Sequence, residues 1–186
     1  MKNKLHLGCG HRYLKGFIHI DKDELPHIDY PNTDISDLSM FDDNSIDLIY
    51  SCGSFEYYDR EEAVFVLLEW KRVLKNNGVL KLSVPNFSSV VEVYKKYKNL
   101  DGMGILGPLY GKWKIKKDTH IYHRTVYDKN SLTNLLISQG FNSVKEYSAE
   151  HFLPKGYDDY SLAYIPHMDR TGIQMHLNLE CVKWKK

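Results

Sequence analysis

The sequence predicts one α/β domain, a mostly parallel β-sheet with helices packed on its faces. Short apolar segments with strand character alternate with segments of helical spacing, a pattern typical of parallel strands joined by crossover connections. The chain has 186 residues, enough to bury a continuous core without disulfides or a structural metal. We expect residues 1–186 to form a single domain.

The first half of the chain contains four predicted strands. Residues 5–7 are followed at once by the glycine turn 8–10, and a second strand over 17–21 ends in an acid. Only six residues separate the turn from the second strand, so the first crossover helix must be reduced to about one turn. A third strand is expected to end near 33–35, and 46–51 has the composition of a fully buried fourth strand.

The second half continues the alternation, with two long interruptions. Apolar spacing and turn residues predict helices over 60–75, 88–97 and around 132–136, and strands over 79–84, 141–147 and 175–184. Residues 99–127 and 148–174 show no clear period. Because long loops in compact domains often carry function, we interpret both as lid or acceptor-site insertions.

Composition excludes several classes of protein. The 25 Lys and Arg residues balance the 24 Asp and Glu residues, so nucleic acid is not an expected partner. The three cysteines, Cys9, Cys52 and Cys181, are too scattered for a disulfide framework and indicate a reducing compartment, by default the cytoplasm. Neither a signal peptide nor a membrane span is expected, because no apolar run is long enough.

The glycine turn lies where parallel sheets bind nucleotides. Gly8 and Gly10 lack the Cβ atoms that would keep a ligand away from the backbone. The dinucleotide pattern needs a third glycine where this chain has Tyr13, which disfavours NAD and FAD. A phosphate-binding P-loop is excluded because no lysine follows such a loop.

Two acids at successive strand ends suggest a nucleoside pocket. The Asp21 carboxylate can accept hydrogen bonds from both ribose hydroxyls. Asp34 can accept from an adenine amino group, with the Ile35 N–H available to a ring nitrogen. Either acid alone fits a turn or cap equally well, but the acids and the glycine turn together favour a nucleoside.

These motifs resemble the class I S-adenosylmethionine-dependent methyltransferases, in particular a small bacterial branch often found among surface-glycan genes. The similar segments are LHLGCG (5–10), GFIHID (16–21), TDI (33–35), SIDLIYS (45–51) and EWKRVLKNNGVL (69–80). The resemblance is strong over residues 4–87 and weaker over 120–186.

The resemblance implies a Rossmann-like three-layer sandwich whose seven-stranded sheet has only its last strand antiparallel. It implies S-adenosylmethionine as cofactor and S-adenosylhomocysteine as product. The implied cofactor-binding residues are Leu7, Gly8, Cys9, Gly10, Asp21, Asp34, Ile35, Ser51 and Cys52. For Cys52 a small buried thiol is an equally good interpretation.

Glu56 is the first catalytic candidate. The family often has a histidine, two further residues and then Glu-His after the fourth strand, and the corresponding stretch here is 53–57. Only Glu56 matches that pattern, which weakens any mechanism that needs those histidines.

The run 119–127 is the leading acceptor site. Methyl transfer from a sulfonium is an in-line displacement that depends on positioning, and a hydroxyl or ammonium acceptor also needs a base. His123 is the preferred base, with His120 as a second candidate. Tyr122 and Arg124 are candidate substrate contacts, Arg124 for an anionic group. Structural roles for both histidines remain open.

A second cluster, around 157–169, mixes acids and aromatics as carbohydrate-binding surfaces do. Asp158 and Tyr160 are the residues assigned to the substrate. An ordered surface loop or a subunit contact, and so a homodimer, is the alternative. No metal site is expected, because His-x-x-His without a firm third ligand is a weak signal.

The predicted function is methyl transfer from S-adenosylmethionine (EC 2.1.1.-) to a small or sugar-like acceptor, at oxygen. Two alternatives stay open. One is an N-methyltransferase of a small amine or nucleotide-sugar, and the other is a non-catalytic protein that binds the cofactor for assembly.

Overall fold

The computed structural model describes residues 3–101, 104–116, 119–167 and 169–184. Parts of both predicted lids, 102–103, 117–118 and 168, lie outside the described residues. In chain order the elements are β1 (Lys4–Leu7), β2 (Ile18–Ile20), β3 (Ile46–Cys52), α1 (Glu62–Val73), β4 (Leu74–Pro85), α2 (Phe87–Tyr97), α3 (Leu106–Tyr110), β5 (Trp113–Lys116), β6 (Thr119–Ile121), α4 (Lys129–Ser138), β7 (Phe141–Glu146), α5 (Ala149–Phe152), β8 (Tyr164–Ile165), β9 (Ile173–Gln174) and β10 (His176–Lys183). Across these ranges, no helix is both long and apolar enough to cross a membrane.

The central sheet has the strand order β2-β1-β3-β4-β10-β7. Strands β2, β1, β3 and β4 pair in parallel, and β10 is antiparallel to both of its neighbours. A mostly parallel sheet whose last strand is antiparallel is therefore confirmed. The carboxyl ends of β1, β3 and β4 meet at one edge, which positions the site described below.

The sheet has six strands among the described residues, so the predicted seven were wrong. The expected third strand is reduced to one parallel bridge between Ile20 and Tyr30, and residues 33–35 form no strand. Pro31, which has no N–H to donate, follows the bridge at once, and Asn32 has a φ of 53°. The chain therefore turns away before a second pair can form.

The predicted short helix between β1 and β2 was also wrong, because this connection consists of turns and irregular backbone. Side chains hold it in place of helical hydrogen bonds. Asp21 accepts from the Gly10 N–H at 2.7 Å, and Nε2 of His19 accepts from the Leu14 N–H at 2.9 Å. Nε2–H of His27 donates to the Gly10 carbonyl at 3.0 Å. Six residues are too few for a packed helix but enough for this braced turn.

Helix α1 confirms the predicted helical segment and anchors the core. Its buried face presents Ala63, Val66, Leu67, Trp70 and Val73 to the sheet. The indole N–H of Trp70 donates to the Ile35 carbonyl at 2.8 Å. This bond ties the helix to the turn at 33–35 that replaces the third strand.

The two predicted insertions contain more regular structure than expected. The first carries α3 and the β5–β6 hairpin, and the second carries α5 and the paired strands β8 and β9. Both lie over the carboxyl edge of the sheet, where their side chains line the cavity described below.

Replacing Trp70 by alanine should lower the free energy of unfolding by about 3–5 kcal/mol, because it empties a fully buried site and leaves the Ile35 carbonyl unpaired. Urea denaturation measures the change. Phe65→Ala, on the same helix but with a side chain 71% exposed, is the matched control and should change stability by less than about 0.5 kcal/mol. Equal losses in the two variants would contradict this assignment.

Candidate functional site

A cavity of about 1260 Å³ opens at the carboxyl edge of the parallel strands and is roofed by both insertions. This is the position at which open α/β sheets bind ligands. Pockets for one small ligand usually span about 300–1,000 Å³, so this cavity has room for two. The predicted residues that line it are His120, His123, Glu56, Gly8, Cys9, Gly10, Asp21, Asp34, Ile35, Cys52, Tyr122, Arg124 and Tyr160.

Positions 8 and 10 favour glycine because both have a positive φ, and at position 8 the neighbouring Ser54 also leaves no room for a Cβ. Gly8 has a φ of +66°, and a Cβ there would lie 2.4 Å from the Cβ of Ser54. Gly10 has a φ of +51°, and a Cβ there would lie 3.7 Å from the Trp113 ring. The turn is therefore an open backbone cradle at Gly10 and a close protein contact at Gly8.

Asp21 braces this turn and lines the cavity. Its two carboxylate oxygens accept hydrogen bonds from the Gly10 N–H at 2.7 Å and the Asp23 N–H at 2.9 Å. Each oxygen keeps a further lone pair, so the group can still accept from ribose hydroxyls. Asp21 thus fits the predicted ribose contact and also fixes the shape of the glycine turn.

Asp34 has more hydrogen-bond and ion-pair partners within the protein than the sequence analysis predicted. Lys22 pairs with it at 2.7 Å, Ser36 donates through both N–H and hydroxyl, and the Tyr58 hydroxyl donates as well. Partial burial opposes ionisation, but these donors lower the pKa of Asp34 to about 2. The Ile35 N–H makes no hydrogen bond within the described ranges and fits an adenine nitrogen better.

Four other predicted cofactor residues, Leu7, Ser51, Cys9 and Cys52, are buried. Leu7 and Ser51 do not line the cavity: Leu7 belongs to the core, and the Ser51 hydroxyl lies 2.6 Å from that of Ser54. Cys9 and Cys52 do line it, and burial raises the pKa of both thiols. Both are neutral packing groups in the wall of the cavity.

Glu56 and His123 form a buried pair under the first insertion. Nδ1–H of His123 donates to the Pro108 carbonyl at 3.1 Å, which leaves Nε2 as the lone-pair nitrogen, 3.6 Å from Oε1 of Glu56. The ring packs directly on Gly111, where a Cβ would lie 1.9 Å from Nε2. Burial lowers the pKa of His123. The nitrogen that would serve as base is therefore covered on both sides.

Glu56 is the member of the pair that has a carboxylate oxygen without a hydrogen-bond partner. Burial raises its pKa to about 8, and its Oε2 has no hydrogen-bond partner among the described residues. A carboxyl group that titrates near neutral pH inside a cavity is a typical general base. Glu56 also accepts the Arg124 N–H through its main-chain carbonyl at 2.9 Å, which ties the first insertion to it.

Arg124 is not positioned to bind a substrate anion. Its guanidinium pairs with Asp59 at 2.6 Å and with Glu62 at 2.5 Å, so its charge is already balanced. His120 and Tyr122 are exposed at the mouth of the cavity. Of the predicted acceptor run, only His123 lies deep inside.

The second cluster contributes differently from the prediction. Tyr160 lies over Gly53, where a Cβ would be 3.0 Å from its ring, and stacks on His176 with 5.8 Å between centroids. Asp158 does not line the cavity. Its neighbour Asp159 does line the cavity. Asp159 is buried and accepts hydrogen bonds from the Tyr50 hydroxyl and the Ser161 N–H.

The lining residues missed by sequence reasoning include Arg12, Trp113 and His176. Arg12 follows the glycine turn by two positions, a signal that could have been used. The Trp113 ring lies 3.7 Å from the position of a Cβ built at Gly10, and His176 pairs in register with Pro85 at the end of β4. The positions of Trp113 and His176 in the cavity wall depend on long-range contacts, which no local sequence pattern reveals.

His176 is a buried neutral imidazole. Its Nδ1 lies 3.0 Å from the Ser83 hydroxyl, and burial lowers its pKa to about 3. For metal binding, no cluster of three or more His, Cys, Asp or Glu side chains with suitable geometry occurs in the described part of the chain.

Comparison with known proteins agrees with this architecture. A family model described as a methyltransferase domain matches residues 5–82, which include the glycine turn, Asp21 and Asp34. Among proteins of curated function, no sequence matches the chain.

Solved methyltransferase structures share the whole fold. One from Archaeoglobus fulgidus is 15% identical with a TM-score of 0.59, covering 98% of this chain and 86% of its own. A putative enzyme from Listeria monocytogenes is 17% identical, with a TM-score of 0.56 and coverage of 99% and 90%. The 1,6-didemethyltoxoflavin-N1-methyltransferase of Burkholderia thailandensis, solved with its substrate and S-adenosylhomocysteine, is 12% identical, with a TM-score of 0.56 and coverage of 99% and 72%. At these identities the likeness shows the fold, which is the Rossmann-like fold of S-adenosylmethionine-dependent methyltransferases. Together with the family match, it supports S-adenosylmethionine as the cofactor.

The pH dependence of the free energy of unfolding should report the protonation state of Glu56. Its pKa is about 8 in the folded protein and near 4.5 when unfolded, so its stabilising contribution is full below pH 4.5 and is lost as the pH rises through 8. In that window the free energy of unfolding should fall by about 1.4 kcal/mol per pH unit relative to Glu56→Gln.

Urea denaturation at pH 7.0, 7.5 and 8.0 is the cleanest measurement. Burial lowers the pKa of His6 and His176 to about 3, so their opposite effect is complete above pH 6.5. Glu61→Gln, which changes an exposed carboxylate just before α1, should leave the slope of wild type unchanged. Parallel pH curves for wild type and Glu56→Gln would show that Glu56 is ionised throughout.

Proposed function

We propose that this protein transfers the methyl group of S-adenosylmethionine to a small acceptor (EC 2.1.1.-). The observation that carries the proposal is the braced glycine turn: Asp21 holds the Gly10 N–H, and Gly10 presents open backbone at the carboxyl edge of the sheet, inside the segment that matches a methyltransferase domain. The cavity above it has room for an acceptor as well.

The residues present fit the cofactor. Gly10 offers backbone that a ligand can approach, Asp21 keeps lone pairs for ribose hydroxyls, and the Ile35 N–H is unused within the described ranges. Asp34 contributes by orienting Lys22 and Tyr58 at the same end. When bound, S-adenosylmethionine supplies an electrophilic methyl group on a sulfonium sulfur.

On the acceptor side, Glu56 replaces His123 as the proposed base. The carboxylate form of Glu56 takes the proton of an acceptor hydroxyl or ammonium, while His123 and Gly111 hold the wall beside it. Oxygen is the proposed acceptor atom. Nitrogen is the alternative, because the Burkholderia neighbour is named as an N1-methyltransferase. A homodimer, a sugar-like acceptor and a cytoplasmic location stay predictions.

Calorimetric titration with S-adenosylhomocysteine tests the cofactor site. Wild type should bind, and Gly8→Ala should bind at least about tenfold more weakly, because its Cβ collides with Ser54 in a backbone conformation unfavourable for alanine. Gly16→Ala is the control: it has a similar φ of +84° but open space around it. Asp21→Ala should also weaken binding, because it frees the Gly10 N–H. No binding by wild type would overturn the proposal.

The rate of methyl transfer should depend on Glu56. Because the ionised carboxylate is the active form, the rate with labelled cofactor should rise as the pH approaches about 8 and then level off. Glu56→Gln should lose this rise and most of the activity while still binding S-adenosylhomocysteine. An unchanged pH profile would remove Glu56 as the base, and cofactor binding without transfer to any acceptor would favour the non-catalytic alternative.

A further inference from the structure

The acidic side chains that line the cavity are all occupied. Asp34 is paired with Lys22 and Glu62 with Arg124. Asp21 and Asp159 accept hydrogen bonds from main-chain N–H groups or hydroxyls that fix their positions. Glu56 is mostly protonated at neutral pH because burial raises its pKa to about 8. None of the five forms an ion pair with either of the remaining lining cations, Arg12 and Lys112.

Two cations in the cavity are not matched by an acid. Arg12 and Lys112 both line it, and no carboxylate of the described residues forms an ion pair with either. The other two lining cations, Lys22 and Arg124, are paired as described above. A cationic side chain without a carboxylate partner in a partly enclosed site is available to pair with a negatively charged ligand.

Arg12 is fixed where the cofactor edge meets the second insertion. Its main-chain N–H donates to the Cys9 carbonyl at 3.0 Å, and its Nε donates to the Asp158 carbonyl at 2.5 Å. The guanidinium lies over the Tyr160 ring, 5.1 Å from its centroid. The two terminal nitrogens have no hydrogen-bond partner among the described residues.

Such a guanidinium suits an oxyanion. Its planar fork can donate two parallel hydrogen bonds to a carboxylate or phosphate, and a position already fixed by Asp158 and Tyr160 reduces the entropy lost on binding. Tyr160 also covers Gly53 at the end of β3, so Arg12 faces the part of the cavity between the cofactor cradle and the insertions.

We propose that Arg12 binds an anionic group, a carboxylate or a phosphate, on the methyl acceptor, with Lys112 as a second cation at the same mouth. This inference rests on the proposed function and narrows its acceptor class from small or sugar-like to anionic. It also moves the anion-binding role from Arg124, whose charge is balanced, to Arg12.

Inorganic phosphate is the probe for this site. Titrated into protein saturated with S-adenosylhomocysteine and followed by amide chemical shifts, it should bind wild type saturably, with shifts at Gly10 and Tyr160. Arg12→Gln should weaken this binding by about tenfold or more, and Arg12→Lys should restore part of it. Arg170→Gln removes the same charge from an exposed pair with Glu150 and should bind phosphate like wild type. No saturable binding by wild type, or equal binding by Arg12→Gln, would overturn the inference.

A second pair of titrations separates the acceptor from the cofactor as the source of the anion. S-adenosylhomocysteine carries a carboxylate, whereas 5′-methylthioadenosine lacks the whole amino-acid part. Arg12→Gln should bind both within about threefold of wild type. A selective loss of S-adenosylhomocysteine would assign Arg12 to the cofactor carboxylate and overturn the acceptor assignment. Failure of wild type to bind either nucleoside would instead overturn the proposed function, and phosphate binding by the free protein would still test Arg12.

Discussion

The hydrogen bond from the Gly10 N–H to the Asp21 carboxylate is the interaction on which the site depends. It joins the end of β1 to the end of β2 across a connection that has no helix. Two imidazoles complete the brace: His19 accepts from the Leu14 N–H, and His27 donates to the Gly10 carbonyl. Nε2 of His19 can accept only while it is unprotonated, and burial, which lowers the pKa of this ring, favours that form. A few side chains thus do what helical hydrogen bonds do in a longer crossover.

Local patterns in the sequence were sufficient to predict the first strands, the glycine turn and the helix α1. The glycine turn at 8–10, Asp21 at the end of β2 and the apolar face of α1 are each specified by adjacent or helically spaced residues. The third strand could not be predicted correctly, because its failure depends on Pro31 and Asn32 turning the chain after a single bridge at Tyr30. The composition of 33–35 resembles a strand end, but pairing requires a neighbour that the chain does not reach.

The acceptor side depends on contacts between distant parts of the chain, which the sequence does not show. His123 is an attractive base by spacing, but its Nε2 is covered by Gly111 and Glu56. The pKa of Glu56 is raised by the burial that the first insertion provides. Likewise, the sequence predicts a free charge at Arg124, but Asp59 and Glu62 pair with it in the structure. Side-chain chemistry could be listed from the sequence, but burial and pairing decided which groups remain reactive.

The placement of Trp113 bears on how ligands are exchanged. Its ring lies against the open face of Gly10. The β5–β6 hairpin is thereby placed against the glycine turn. A ligand resting on the glycine turn would lie against the Trp113 ring, so the β5–β6 hairpin forms one wall of the space in which such a ligand is exchanged.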